Sequence, residues 1–392
     1  MTKPTVLKSA LIACGLMSLA GMAAADVKIG FSAPLSGPQA VVGQDQLDGF
    51  MLGVEQLGGK LGGQAVTVVK DDDQLKPEIA SQIMRKFIEQ DKVDAIVGLG
   101  YSNVLMANLK RLTESGVVSI ATSAGPSPMA GADCAPNVFS VAFQNDGFGE
   151  AIGKLMQDRG LKSAYLMAPN YQAGKDMLAG FKRFYKGTVA SEVYTQVGQA
   201  DYSAEITQLQ VSKPESLFVF YTGGMGVNFI KQLSQSGAAA KLPIYSTFTV
   251  DGANLPAVRD AAVGVVSGNM WDVSLPTAEN LKFVKDFEAK HKRLPSAYAA
   301  TAFDAANLLD AAVRKVGANV TDKKAFAAAV QASGSEFKSV RGPFKFNNNN
   351  FPIQNYYAFE MVKDGDAIKS KLIATPLKDH KDAYYAACPL KL

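Results

Sequence analysis

Histidine is almost missing from this 392-residue chain, which has only His291 and His380. Catalysis or zinc binding built on imidazole is therefore poorly supplied. Cysteine is scarce as well, with Cys14, Cys134 and Cys388. Neither Cys134 nor Cys388 has a neighbouring His or second Cys that would suggest a metal site. Charge of one sign is lacking too. The formal net charge is +4, and no Lys/Arg-rich cluster is present, so a nucleic-acid partner is not indicated. After residue 25 no apolar run reaches the length needed to span a bilayer. Enzyme signatures are absent as well: no G-x-x-x-x-G-K-[ST] phosphate loop, no G-x-S-x-G elbow and no H-E-x-x-H. Gly98-Leu99-Gly100 lacks the third glycine of a dinucleotide fingerprint and reads as a tight turn.

The chain begins with an export signal. Lys3 and Lys8 make a basic start, Leu11 to Met22 is apolar and small, and Ala23-Ala24-Ala25 offers a cleavage site ahead of Asp26. A membrane anchor is one alternative. A lipoprotein is another, because Leu11-Ile12-Ala13-Cys14 resembles a lipobox. Cleavage after Ala25 removes two lysines and no acid, leaving a net charge of +2. The mature protein is expected in the periplasm, where Cys134 and Cys388 would form a disulfide, with two free thiols as the alternative.

Beyond residue 25 the chain is longer than one hydrophobic core usually holds, so two domains are expected. Short β-rich runs alternate with longer amphipathic ones. Strands are expected at 27–31, 65–69, 94–98 and 117–121, with helices at 43–58, 77–90 and 103–115 between them. The rhythm restarts after 145. Helices are expected at 147–159, 173–185, 203–212 and 225–236, around strands at 163–168, 189–194 and 217–221. Three helical stretches follow, at 278–291, 298–316 and 322–331. Repeated βα units imply mainly parallel sheets covered by helices on both faces.

In open α/β sheets ligands sit beyond the carboxyl ends of the strands. The loops in question are 32–43, 99–103, 121–130, 169–174, 221–225 and 246–252. In one of them Ser102 or Asn103 is a natural helix N-cap. In another, Ser123, Ala124 and Gly125 offer bare backbone amides. Open amides and a helix dipole together favour an anion, although both loops also read as ordinary capped turns. Tyr101, Phe148, Tyr171, Tyr221 and Phe248 fall in or beside these loops and suggest an apolar pocket with a few polar groups.

Certain stretches carry a likeness: Val27-Lys-Ile-Gly-Phe-Ser-Ala-Pro-Leu-Ser-Gly-Pro38, Asp94-Ala-Ile-Val-Gly98 with Ser102, Tyr171-Gln-Ala-Gly-Lys-Asp176, and Asp201-Tyr-Ser-Ala-Glu-Ile206. The chain resembles the branched-chain amino-acid-binding protein family, the periplasmic receptors of ABC importers. The resemblance implies two Rossmann-like lobes of the type I class joined by three hinge crossovers. Residues 26–143 and 275–345 would form lobe 1, and 144–274 and 346–392 lobe 2. It implies a carboxylate site at Ser102 and the backbone of Ser123, Ala124 and Gly125, with Tyr171 closing over the ligand. Gly125 stands where amino-acid binders carry a threonine, which would leave room and remove a hydroxyl. Phe248 stands where they carry the acid that pairs with the ligand's ammonium, and Asp251 lies three residues on. The ligand is therefore expected to be a small aromatic carboxylate, with an aliphatic amino acid as the alternative if Asp251 reaches the site. No cofactor and no metal are expected. The expected partner is an inner-membrane permease, and the receptor is expected to be a monomer. A sensory receptor of the same fold and a secreted enzyme are the competing readings.

Overall fold

A computed structural model describes residues 1–2 and 26–391. The expected signal and the lipobox at Cys14 fall outside the described residues.

The first sheet takes its strands from the first third of the chain: β1 Val27–Ala33, β2 Lys60–Leu61, β3 Gln64–Asp72, β4 Ala95–Gly98, β5 Val118–Ala121 and β6 Val138–Ser140. Their order is β2-β3-β1-β4-β5-β6. All neighbours are parallel except the β2–β3 hairpin. β1 lies at the centre with Val27, Ile29, Phe31 and Ala33 fully buried, as a strand covered on both faces requires. The second sheet comprises β7 Ser163–Pro169, β8 Thr188–Thr195, β9 Ser216–Phe220, β10 Ile244–Thr247, β11 Val266–Asn269, β12 Gln354–Asp364 and β13 Ala367–His380. Its order is β13-β12-β11-β10-β9-β7-β8, and β12 runs antiparallel to β11 and β13. Two Rossmann-like lobes result.

The late helices belong to the first lobe. Helix Ala297–Val316 lies along helix Ala40–Gln56 at close range because both present small residues. A Cβ on Gly49 would meet the Ala299 carbonyl oxygen at 2.1 Å, and one on Gly53 would meet the Ala306 Cβ at 2.7 Å. Helix Lys323–Ser333 closes the same core through Phe326 and Val330.

Among the strands not expected from sequence are β2, β6, β11, β12 and β13. The burial along β13 shows why, since every residue but Leu377 is exposed or half-buried, and the strand carries Lys369 and Lys371 on its Ala367–Leu372 stretch and Lys378 beyond. Such an edge lacks the apolar alternation that marks a half-buried strand.

The expected assignment of 346–392 to lobe 2 needs correction at both ends. Phe344 and Phe346 pack with Val27 and Phe139, and Phe351 packs with Ile96 and Leu105, all in the first lobe. The Ser140 N–H donates to the Asn350 carbonyl at 3.1 Å. After β13 the tail returns to the first lobe, where Cys388 is bonded to Cys134 with their Cα atoms 5.7 Å apart. The tail thus straps both lobes: Tyr384 donates from its hydroxyl to Asp146 at 2.8 Å on the second-lobe side. The bridge spans 254 residues of sequence. Constraining so long a loop in the unfolded chain is typically worth about 2–4 kcal/mol. The Cys134→Ala/Cys388→Ala double variant is expected to lose that much in urea denaturation, against unreduced protein recovered from an oxidising compartment. If mass analysis after alkylation finds two modified thiols in that protein, the bridge does not form.

Candidate functional site

The two sheets point their carboxyl ends at a shared cleft, which holds a small cavity. On the first-lobe side, β4 ends at Gly98 and helix Ser102–Ser115 begins four residues later. The structure corrects the expected cap. Tyr101 is the N-cap residue, its side chain makes no capping hydrogen bond, and Ser102 is already helical. The first-turn amides of this helix are therefore left without a side-chain cap at the cavity wall, where Gly100, Tyr101 and Ser102 all line the space. Half-buried Ser123, from the loop after β5, borders the same space, as does Tyr298 at the start of helix Ala297–Val316. The second lobe contributes Tyr171, Met177, Phe220, Thr222 and Phe248. None of the lining residues carries a formal charge.

The lobes are closed on each other. Tyr101 donates its hydroxyl proton to Gln39 Oε1 at 2.7 Å, and Gln39 Nε2 donates across to the Thr222 carbonyl at 3.2 Å. Ser127 of lobe 1 donates its N–H and its hydroxyl to the Asp176 carboxylate of lobe 2, at 3.0 and 2.7 Å. Asn145, on the crossover, donates from Nδ2 to both Ser102 Oγ (3.1 Å) and Asp176 Oδ2 (2.9 Å). Such contacts exist only when the lobes meet, so they belong to the closed state.

Of the residues singled out from sequence, Tyr101, Ser102, Ser123, Tyr171 and Phe248 border the cavity. The other five do not. Ala124 is buried among first-lobe core residues. The Gly125 N–H is engaged by Asn145 Oδ1 at 3.2 Å. A Cβ on Gly125 would meet the Phe143 carbonyl oxygen at 1.9 Å. Glycine is therefore required there for backbone approach and makes no room for ligand. Phe148 stands one layer behind, edge-on to both Phe143 and Phe248 at 4.7 Å. Tyr221 is in the second-lobe core, where Thr195 Oγ1 bonds to its hydroxyl at 3.0 Å and Tyr202 and Phe229 pack on its ring. Asp251 borders a different cavity.

Phe248 is the centre of the aromatic wall. It stacks on Tyr298 at 5.2 Å and lies 5.4 Å from Phe143 and 6.4 Å from Phe220. Its φ of +55° is in the left-handed region, a strained place for a bulky residue. Asn254 Nδ2 holds that turn by donating to the Phe248 carbonyl at 3.2 Å. Burial raises the phenol pKa of Tyr101, Tyr171 and Tyr298, so all three remain protonated donors. The Tyr298 hydroxyl is buried with no hydrogen-bond partner among the described residues.

Sequence reading missed Phe143, Asn145, Phe220, Thr222 and Tyr298. Thr222 lay inside a loop already singled out, at the end of β9. Tyr298 comes from a helix far along the chain and carries no local signal of a site.

Asp251 is held by its own turn: Oδ1 accepts the N–H groups of Ala253 at 2.9 Å and Asn254 at 3.1 Å. Burial pushes its carboxyl up to about 7 from the usual 3.8, and the charge of Asp45 adds to this. A carboxyl raised on folding makes the folded state the stronger proton binder between those two values. Its contribution to stability is then complete below the unfolded pKa and is lost as pH rises toward 7. Asp251→Asn is expected to remove that part of the decline. In chemical denaturation from pH 5 to 8, a variant whose stability falls as steeply as the parent's would refute the raised value.

Two Rossmann-like lobes closed over an uncharged, aromatic cleft at a helix N-terminus define a solute-binding receptor. The family model described as "Periplasmic binding protein" matches residues 26–366. The chain belongs to that family. It is 26% identical over 375 residues to the Leu/Ile/Val-binding protein homolog 6 of Brucella melitensis, covering 92% of this chain and 94% of that one. A solute-binding protein of an ABC transporter from R. palustris, solved with benzoate, is 34% identical, with a TM-score of 0.87 and coverage of 93% and 100%. Another from Rhodopseudomonas palustris BisB5, solved with 3,4-dihydroxybenzoic acid, is 25% identical, with a TM-score of 0.85 and coverage of 91% and 99%.

Proposed function

We propose that this protein is the periplasmic solute receptor of an ABC importer and that its cleft takes a small aromatic carboxylate. The observation that carries the reading is the cavity wall itself: six aromatic rings, no acidic side chain and an uncapped helix N-terminus. The ligand's carboxylate would lie at Ser102 and the first-turn amides, where the unpaired N–H groups and the helix dipole favour negative charge. Ser123 lies beside it. The Tyr298 hydroxyl, a donor without a partner, would meet a second oxygen of the ligand. The ring would pack between Tyr171, Phe220 and Phe248, in offset or edge contacts worth about 0.5–1.5 kcal/mol beyond area burial. The benzoate and 3,4-dihydroxybenzoic acid held by the two solved relatives support this choice.

An α-amino acid fits less well. Its ammonium would leave water on closure and find no carboxylate in the wall, which costs several kcal/mol. The name of the Brucella relative keeps leucine in the comparison. The receptor has no bond to make or break: ligand selects the closed lobes, and the closed form would dock on a permease as a monomer after export and cleavage at Ala25.

Titration calorimetry with benzoate, 4-hydroxybenzoate and leucine tests the reading. Binding is expected for the aromatic acids only. Ser102→Ala removes a hydrogen bond to a charged group, worth about 1.5–3 kcal/mol, and affinity should fall by roughly one to two orders of magnitude. Tight leucine binding without heat from either aromatic acid would overturn the assignment, and an unchanged Kd in Ser102→Ala would move the carboxylate elsewhere.

A further inference from the structure

A second cavity, of about 160 Å³, lies outside the ligand cleft and shares no lining residue with it. Its second-lobe walls include Asp251, Ser267, Trp271 and Phe359, and its first-lobe wall is Leu294 with Pro295. The lining is largely apolar, yet two buried polar atoms in it are left over. Asp251 Oδ2 and Ser267 Oγ have no hydrogen-bond partner among the described residues, and their residues are 7% and 2% exposed. Buried polar groups are normally paired, and a buried carboxylate oxygen without a donor is the costliest exception.

We propose that this cavity is a second ligand site, for a small organic cation that carries an ammonium on an apolar body. An ammonium has donors for both orphaned acceptors and supplies the charge that Asp251 lacks. Trp271, Phe359, Leu294 and Pro295 then cover the apolar part. The closest alternative occupant, an alcohol of the same shape, offers one donor and no charge.

The site also joins the lobes. A Cβ on Gly252, beside Asp251, would meet the Pro295 carbonyl oxygen at 2.6 Å, so the two lobes touch at this wall. Opening the lobes separates Leu294 and Pro295 from the rest of the site. An occupant therefore favours the closed state, and cleft ligand and cation each strengthen binding of the other, by reciprocal linkage.

The test uses benzylammonium as probe, with benzyl alcohol as the neutral comparison, at pH 8. Calorimetry should show benzylammonium binding to the full chain, more tightly when benzoate is present, and little from the alcohol. Asp251→Asn keeps an Oδ1 acceptor for the Ala253 and Asn254 amides and should weaken benzylammonium by about tenfold or more. Leu294 is 42% exposed at the rim, so Leu294→Trp should fold and obstruct the cavity. Ser102→Ala should leave benzylammonium binding intact. The proposal is overturned if benzylammonium gives no heat at millimolar concentration, if benzoate displaces it, or if its affinity survives in both the Asp251 and the Leu294 variants.

Discussion

Arg341→Ala is expected to cost about 3–5 kcal/mol of folding stability, the usual penalty for removing one partner of a buried ion pair. Asp304, on helix Ala297–Val316, is fully buried, and the Arg341 side chain is 5% exposed beside it. The carboxylate accepts from Ser339 Oγ at 2.6 Å, the Val340 N–H at 3.0 Å and Arg341 Nε at 3.0 Å. The guanidinium does more than neutralise it. Nη1 donates to the Ala142 carbonyl and to Gln354 Oε1, both at 2.8 Å, and Nη2 donates to the Val141 carbonyl at 2.6 Å. Residues 141–142 leave the first lobe and Gln354 opens β12, so one side chain fastens two crossovers to a lobe-1 helix. Even with the arginine present, burial raises the Asp304 pKa above its ordinary value. Without it the carboxylate has no counter-charge and escapes the penalty only by taking up a proton.

The deficit of Arg341→Ala should therefore be larger at pH 8 than at pH 5. Replacing both partners, as Asp304→Leu with Arg341→Met, should recover much of the loss, because no charge remains buried. Urea denaturation of the three proteins at the two pH values decides. A single variant within about 1 kcal/mol of the parent, below the penalty expected for a buried pair, would show that the pair is solvated in solution.

Much of the βα order was legible because it rests on local signals. The apolar runs of β1, β4, β7 and β9 alternate with amphipathic stretches, and helix bounds fell within a few residues of those observed. The loops beyond the strand ends supplied more than half of the cavity wall for the same topological reason. What escaped depends on contacts remote in sequence. The polar edge strand β13 has no pattern of its own and exists because β12 pairs with it. Tyr298 reads as the first turn of a helix behind its Ser296 cap, and only packing on Phe248 makes it a wall. Gly125 reads as a missing hydroxyl, whereas the Phe143 carbonyl dictates the glycine. Asp251 sits three residues from Phe248, yet its turn buries it on the other side of that loop, in the second cavity.

Phe248→Ala should lose about 3–5 kcal/mol of stability, as buried Phe→Ala changes do, and most of its aromatic-acid affinity as well. The ring is 1% exposed and touches Phe143, Phe148 and Tyr298 at centroid distances of 4.7–5.4 Å. Its removal therefore opens a void that both lobes border, since Tyr298 comes from the first and Phe248 from the second. The benzoate Kd should rise at least tenfold, because the ligand loses a ring face and the closed state loses an interlobe stack. Backbone strain adds a second test. Alanine retains a Cβ and so retains the cost of φ at +55°, which is about 1–2 kcal/mol for an L-residue in the left-handed region. Glycine does not bear that cost. In an ordinary buried position Gly is less stable than Ala by roughly 0.5–1 kcal/mol. At 248 the order should vanish or invert, with Phe248→Gly at least as stable as Phe248→Ala. Denaturation of the two variants and benzoate titration of each provide the comparison. If glycine is the less stable by the ordinary margin, residue 248 is not left-handed in solution; if benzoate binds Phe248→Ala as tightly as the parent, the ring is no part of the ligand's wall.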